Sequence, residues 1–318
     1  ANGLISQNLT SVGIDKQNKI WIGSQDGYII VYNQSTKSIQ NILDIFKSNK
    51  LRKRINDFYF SNDTAFVSTD FGLCLINTNN LTFYDTFIKL GSFASESRII
   101  STIKSNLVYS VTDNGVAVQK QGATNLSAPE SWNSFTFNSI ANVISASKII
   151  SYNGQIVIAT NSGVYRFINN GWQPFLLQET NIKDLAVSGN SLFAITDKKL
   201  FEYNGTQTNQ VFENQSITLT SVSVTDNKTI YLSSSNGLIE INNNIPKYLA
   251  PKGPYSNQFI NLSVAGNGNI YVATGKDLYG VGFLEYDGSN WKRYSKENYP
   301  QIPSNAYYNV FAAEDNTV

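Results

Sequence analysis

The stretch Leu9–Tyr32, LTSVGIDKQNKIWIGSQDGYIIVY, contains three strand-like segments separated by two polar turns. The segments LTSVGID and KIWIGS are joined by KQN, and Asp26-Gly27 precedes the third segment, YIIVY. An Asp-Gly pair fits a tight hairpin turn because both positions tolerate positive φ. The stretch therefore predicts three consecutive antiparallel strands connected by short turns.

This pattern recurs seven times along the chain. The central residue of each second strand is aromatic or β-branched in the series Trp21, Phe66, Tyr109, Val157, Phe193, Tyr231 and Tyr271. A period of roughly 40–50 residues with several strands per unit is typical of propeller blades. We therefore expect an all-β fold, a β-propeller of about seven four-stranded blades.

The blades are expected to occupy residues 1–306, in repeats of about 42 residues. The last segment, 307–318, contains FAAEDNTV, which resembles the start of the first repeat. It is expected to begin a further blade that the chain end truncates. Because propellers host many unrelated activities, this architecture does not by itself identify a function.

Composition excludes several kinds of chemistry. The formal charge is +1, and the chain has no His, no Met and a single cysteine, Cys74. Without His there is no Ser-His-Asp or Cys-His nucleophile and no His-ligated metal. We expect no catalytic residues, no metal site, no cofactor and no nucleic-acid partner. No apolar run approaches the length of about 18 residues that predicts a transmembrane segment.

One segment is strongly basic. The sequence KSNKLRKR, residues 47–54, has five positive charges and no acidic residue. It predicts a site for phosphate or carboxylate groups of an anionic polysaccharide, with Lys50, Arg52, Lys53 and Arg54 as the candidate binding residues. The alternative is a solvated surface loop whose charges are balanced by the flanking Asp44 and Asp57.

The repeat DKQNKIWIGSQDGYIIVY resembles the two-component-regulator propeller repeat of Bacteroidetes-type bacteria. A narrower resemblance covers about the first 135 residues. The segments GLISQNLTSVGID, DGYIIVYN, IQNILDIF, INDFYF, TAFVSTDFGLCLINT, FYDTFIKLG and NLSAPESW occur in an order and spacing similar to the first propeller of the PorZ family. That family consists of cell-surface components of the type IX secretion system. A complete second propeller and a sorting domain, which the family also has, are not present in this sequence.

The resemblance implies a non-catalytic scaffold on the cell surface or in the periplasm. Its implied partners are the sortase, other proteins of the secretion complex, and the anionic lipopolysaccharide that the sortase attaches to cargo. Two alternatives remain open. The first is a saccharide-sensing periplasmic propeller of a hybrid two-component system. The second is a propeller lyase or lactonase, which needs polar residues converging on the axis and is the least favoured because the chain lacks His.

Overall fold

The computed structural model describes residues 4–140, 142–249, 253–313 and 317. The described residues contain seven sheets, each of four antiparallel strands paired in chain order. The prediction of an all-β propeller with about seven four-stranded blades is confirmed. No helix among these residues is long and apolar enough to cross a membrane.

The strands of the first three sheets are β1 (Leu9–Ile14), β2 (Lys19–Ser24), β3 (Ile29–Asn33) and β4 (Ser38–Ile42); β5 (Ile55–Ser61), β6 (Thr64–Thr69), β7 (Gly72–Asn77) and β8 (Phe83–Phe87); and β9 (Ile99–Lys104), β10 (Val108–Thr112), β11 (Gly115–Gln119) and β12 (Trp132–Thr136). The next two sheets are β13 (Ala146–Tyr152), β14 (Gln155–Thr160), β15 (Gly163–Ile168) and β16 (Gly171–Leu176); and β17 (Asp184–Ser188), β18 (Ser191–Ile195), β19 (Lys199–Tyr203) and β20 (Thr208–Glu213). The last two are β21 (Leu219–Val224), β22 (Ile230–Ser234), β23 (Gly237–Asn242) and β24 (Ile245–Leu249); and β25 (Asn261–Val264), β26 (Ile270–Ala273), β27 (Phe283–Tyr286) and β28 (Trp291–Tyr294).

In the part of the chain that the structure describes, helical structure is confined to short turns. A four-residue helix, α1 (Asp44–Lys47), lies between the first two sheets. Two 3-10 turns, Pro129–Ser131 and Phe137–Ser139, flank β12. The chain divides into two compact units, residues 1–247 and 248–318. The first six sheets belong to the first unit, apart from the last two residues of β24, and the seventh sheet belongs to the second unit.

The second strand of each blade forms the centre of the core. Each of the seven central residues predicted from the repeat lies in a second strand, and Trp21 is fully buried. Within the first unit, five apolar clusters lie between successive sheets; the one between the first two contains Trp21, Ile29, Phe58 and Val67. A strand covered on both faces needs apolar side chains on both faces. This explains why the second strands are rich in apolar residues.

A hydroxyl side chain closes the turn that follows the second strand in every blade. Thr69 Oγ1 donates to Gly72 O at 2.8 Å and accepts from Phe71 N. The same donation to a glycine backbone oxygen is made by Thr112, Thr160, Ser234 and, across a longer loop, Thr274. The hydroxyls of Ser24 and Thr196 instead accept from the backbone N of Tyr28 and Lys199. These local bonds satisfy backbone groups that a tight turn would otherwise leave without partners.

Candidate functional site

The first strands of the first unit enclose a polar cavity. Its volume is about 600 Å³, and β1, β5, β9, β13, β17 and β21, or the residues just before them, all contribute to its lining. We call it the axial cavity. Side chains near the starts of these strands connect neighbouring sheets: Thr10 Oγ1 donates to Ile55 O at 2.6 Å, and Asn56 Nδ2 donates to Ile99 O at 2.8 Å. The cavity is therefore framed by side chains as well as by backbone.

A charged cluster occupies one part of the cavity lining. Lys148 Nζ on β13 donates to Asp57 Oδ2 on β5 at 2.8 Å, and Ser101 Oγ on β9 donates to the same oxygen at 2.6 Å. The Asp184 carboxylate on β17 accepts from Val222 N at 3.0 Å and from Leu185 N at 2.9 Å. Residues from five neighbouring sheets thus contribute to a cluster that contains two carboxylates and one ammonium group.

Burial and charge act in opposite directions on these groups. Burial by itself lowers the pKa of Lys148, but the negative charges of Asp57 and Asp184 outweigh it, so the pKa is raised above its ordinary value. Burial raises the pKa of Asp184, and the charge of Lys148 offsets only part of that rise. Lys148 is therefore held in its protonated form.

Two arginines line the same cavity. Arg54 precedes β5 and Arg98 precedes β9. Arg98 Nε lies 3.2 Å from Asp70 Oδ1. Asp70 is also the neighbour of Arg54, because its backbone N donates to Arg54 O at 3.1 Å. The two arginines therefore flank one residue at the edge of the cavity.

The rest of the basic segment forms a separate surface. Lys50, Arg52 and Lys53 line a second, more open pocket of about 630 Å³, and we call these three residues the basic rim. Lys50 Nζ donates to Glu96 Oε1 at 2.5 Å, and Arg52 donates to Glu96 O at 3.3 Å. Lys53 Nζ donates to Phe46 O at 2.6 Å.

Apolar side chains lie next to the cations of the basic rim. The side chain of Leu51 is fully exposed, and the ring of Phe46 stacks on Tyr28 with centroids 4.1 Å apart. A surface that combines three cations with an exposed apolar residue and an aromatic pair can contact both charged groups and apolar faces of a ligand.

The structure therefore divides the four candidate residues between two places. Lys50, Arg52 and Lys53 lie on the rim, and Arg54 lines the axial cavity. Asp70 connects the two places, because it lines the rim pocket and pairs with Arg98. The proposed balancing role of Asp57 is wrong, since Asp57 pairs with Lys148 and not with the basic segment.

Sequence reasoning missed Arg98, Lys148 and Asp184. Arg98 directly precedes a first strand, Asp184 begins one, and Lys148 is the third residue of one. A charged residue at such a position faces the crowded axis rather than the solvent, and this was the available signal. Among the described residues, no group of three His, Cys, Asp or Glu side chains is arranged to hold a metal.

Fold and site together define a β-propeller whose first strands carry a charged axial cavity beside a basic rim. Residues 1–133 match the family described as "TSS9, PorZ, N-terminal beta-propeller domain". The resemblance to the first propeller of the PorZ family is thereby confirmed. None of the curated proteins matches the chain.

Two bacterial proteins are among the solved structures that share this fold. PorZ, described as an essential surface component of the type-IX secretion system of Porphyromonas gingivalis, is 18% identical with a TM-score of 0.69, over 94% of this chain and 41% of that one. The extracellular domain of the putative one component system BT4673 from B. thetaiotaomicron is 16% identical with a TM-score of 0.61, over 99% of this chain and 50% of that one. This chain thus spans half or less of either relative.

Proposed function

We propose that this propeller is a non-catalytic, extracytoplasmic binding scaffold of the type IX secretion system. In this role it lies at the cell surface or in the periplasm, contacts the sortase and other proteins of the secretion complex, and binds anionic lipopolysaccharide. The match of residues 1–133 to the PorZ propeller family is the observation that carries the proposal.

The basic rim supplies the chemistry for the lipopolysaccharide. Its three cations lie within four consecutive residues, and Leu51 between them is exposed. Arg52 is exposed, and its only contact with Glu96 that the structure defines is to the backbone oxygen. Phosphate and carboxylate groups on a polysaccharide are matched by such a set of flexible and forked donors.

Binding of the purified chain to anionic lipopolysaccharide tests this role. The triple variant Lys50→Gln, Arg52→Gln and Lys53→Gln is expected to bind roughly tenfold more weakly and with a smaller salt dependence, since the lost contacts are screened charges. The matched control is Lys37→Gln, Lys120→Gln and Lys247→Gln, which removes the same charge from exposed positions elsewhere. Equal weakening by both triples would show that only net charge matters.

A cellular experiment tests the place in secretion. Deleting the coding sequence of this propeller is expected to leave cargo proteins in the periplasm, without attached lipopolysaccharide. Normal cargo export in the deletion strain contradicts the proposal. Co-purification of the sortase with the intact chain, and its loss in the deletion strain, is the corresponding biochemical readout.

A second candidate is a saccharide-sensing propeller, because the BT4673 extracellular domain matches 99% of this chain. That function predicts a different result for the same deletion. Cargo export stays normal, and the transcriptional response to a particular saccharide is lost.

Catalysis is not part of the proposal. A lyase or lactonase needs polar residues at the axis, and the axial cavity has them. The cavity lysine is nevertheless held in its protonated form by Asp57 and Asp184, which raise its pKa. A general base needs the opposite shift, toward the working pH.

A further inference from the structure

Two residues that line the axial cavity have buried polar atoms without a partner. Ser11 Oγ and Arg54 Nε are buried, and neither has a hydrogen-bond partner among the described residues. Arg98 Nε is buried as well, but it lies 3.2 Å from Asp70 Oδ1 and forms an ion pair with it. All three residues line the same cavity. Since the great majority of buried polar groups in proteins are hydrogen-bonded, two such atoms around one cavity indicate a site that takes its partners from a ligand.

The charges of the lining favour an anion near the arginines. The lining contains four cations, Arg54, Arg98, Lys148 and Lys183, and two carboxylates, Asp57 and Asp184. Lys148 is held by Asp57 at 2.8 Å, and Lys183 pairs with Asp197 at 3.3 Å.

The two arginines differ in how far they are paired. Arg98 is paired through Nε with Asp70, and its Nη2 lies 3.5 Å from Asn56 Oδ1. Arg54 forms no ion pair with any carboxylate of the described residues. A guanidinium group carries five N–H donors in a rigid fork, so both side chains retain donors for a ligand.

We infer that the axial cavity binds an anionic group, a carboxylate or a phosphate, through Arg54 and Arg98, with Ser11 as a further hydrogen-bond donor. Planar guanidinium groups recognise both kinds of anion through paired N–H donors. The volume of about 600 Å³ lies in the range of small-molecule sites and admits a sugar unit that carries the anion. None of the three rim residues takes part, so this site does not depend on the proposed secretion role.

Titration of the purified full chain with small sugars tests the site. Glucuronate supplies a carboxylate, glucose 1-phosphate supplies a phosphate, and glucose supplies neither. Calorimetry is expected to show saturable binding of at least one anionic sugar and none of glucose. The anion that binds more tightly identifies the source of the charged group. Absence of saturable binding by both anions, or equal binding of glucose, overturns the inference.

Variants locate the binding. Arg54→Gln and Arg98→Gln are each expected to weaken anion binding roughly tenfold or more, because each removes a charge-assisted hydrogen bond. Arg54→Lys keeps the charge but loses the fork, and an intermediate loss is expected. The matched control is Lys37→Gln, which removes one charge from an exposed position outside both the cavity and the rim and should stay within about twofold of the wild type.

Folding of each variant is checked by circular dichroism and thermal unfolding. If Arg54→Gln does not fold, Arg54→Lys and Arg98→Gln carry the test. Anion binding that resists the arginine variants but is lost in Lys53→Gln places the anion on the rim and overturns the inference. Because the probes are single sugars, the result is separate from that of the lipopolysaccharide experiment.

Discussion

Lys148 and Asp57 form an ion pair across the axial cavity, although 91 positions separate them in the sequence. Their side chains are 27% and 17% exposed. Ser101 of the intervening sheet donates to the same carboxylate oxygen. The first strands of three neighbouring sheets are therefore joined at one side chain, and this contact connects the charges of the cavity to the stability of the fold.

Removing one member of this pair should destabilise the chain. Lys148→Ala leaves Asp57 partly buried with Ser101 as its one remaining side-chain partner among the described residues, and we expect a loss of about 1–3 kcal/mol in the free energy of unfolding. Urea denaturation measures it. Adding Asp57→Asn should recover part of the loss, giving a coupling energy in the double-mutant cycle. The control Lys183→Ala breaks a more exposed pair with Asp197 and should cost about 0–1 kcal/mol.

The same lysine predicts an alkaline effect. Its pKa in the folded chain is raised above the ordinary value of 10.5 because the two carboxylates outweigh burial. A raised folded-state pKa means that its stabilisation is complete below the unfolded-state pKa and is lost as the pH rises through the folded-state value. The difference in unfolding free energy between the wild type and Lys148→Met should therefore shrink at strongly alkaline pH.

Tyrosines and Cys74 titrate in both of these proteins, so their contributions largely cancel in the difference. A difference that stays constant from neutral to strongly alkaline pH contradicts the predicted role of Lys148. Urea denaturation at a series of pH values provides the measurement.

Cys74 should be unreactive in the folded chain. Burial raises the pKa of its thiol from 9.0 to about 12, and the side chain is enclosed in the core. Because the thiolate is the reactive form, alkylation by iodoacetamide at mildly alkaline pH should be very slow. Denaturant should restore the rate of an ordinary thiol. Fast labelling without denaturant, followed by mass spectrometry, would show that the second sheet opens readily.

Gly72 cannot take a side chain without a shift of the backbone. Its φ is +144°, and a Cβ built there lies 2.5 Å from Phe87 O on the neighbouring strand β8. We expect Gly72→Ala to lower the free energy of unfolding by about 1–3 kcal/mol. Gly171→Ala is the matched control, because its Cβ would meet nothing closer than Ile168 O at 3.9 Å. Similar effects of the two substitutions would contradict this explanation.

Asp15 fixes the turn between the first two strands. One carboxylate oxygen accepts from Gln17 N and Lys19 N, and the other accepts from Trp21 Nε1, each at 2.9 Å. Asp15→Ala leaves the buried indole N–H without a partner, and we expect a loss of about 2–4 kcal/mol in thermal or urea unfolding. The control Asp287→Ala removes a similar turn aspartate that is exposed, so water can replace it and the loss should be smaller.

The repeat made the blades predictable. Residues such as Trp21 and Phe193 recur at the centre of second strands because a strand packed on both faces needs bulky apolar side chains. The turns were predictable because they depend on residues close together in the sequence. The Ser or Thr that closes such a turn bonds to a residue of the same turn.

The axial cavity was not predictable in this way. The contact of Lys148 with Asp57 depends on the rotation of one blade relative to the next, which no local pattern encodes. Arg54 and Lys53 are adjacent in the same basic run, yet successive residues of an extended segment point to opposite sides. One therefore lines the cavity and the other the rim, a distinction that charge density alone cannot make.

The hydroxyl that closes each second-strand turn takes its partners from its own blade. A gene segment that encodes one blade therefore carries everything that its turn requires. Duplication or loss of such a segment can change the number of blades without any compensating change in a neighbour. The residues at the starts of the first strands remain free to diverge. Copied blades can therefore acquire different charges at the axis while keeping the same strands and turns.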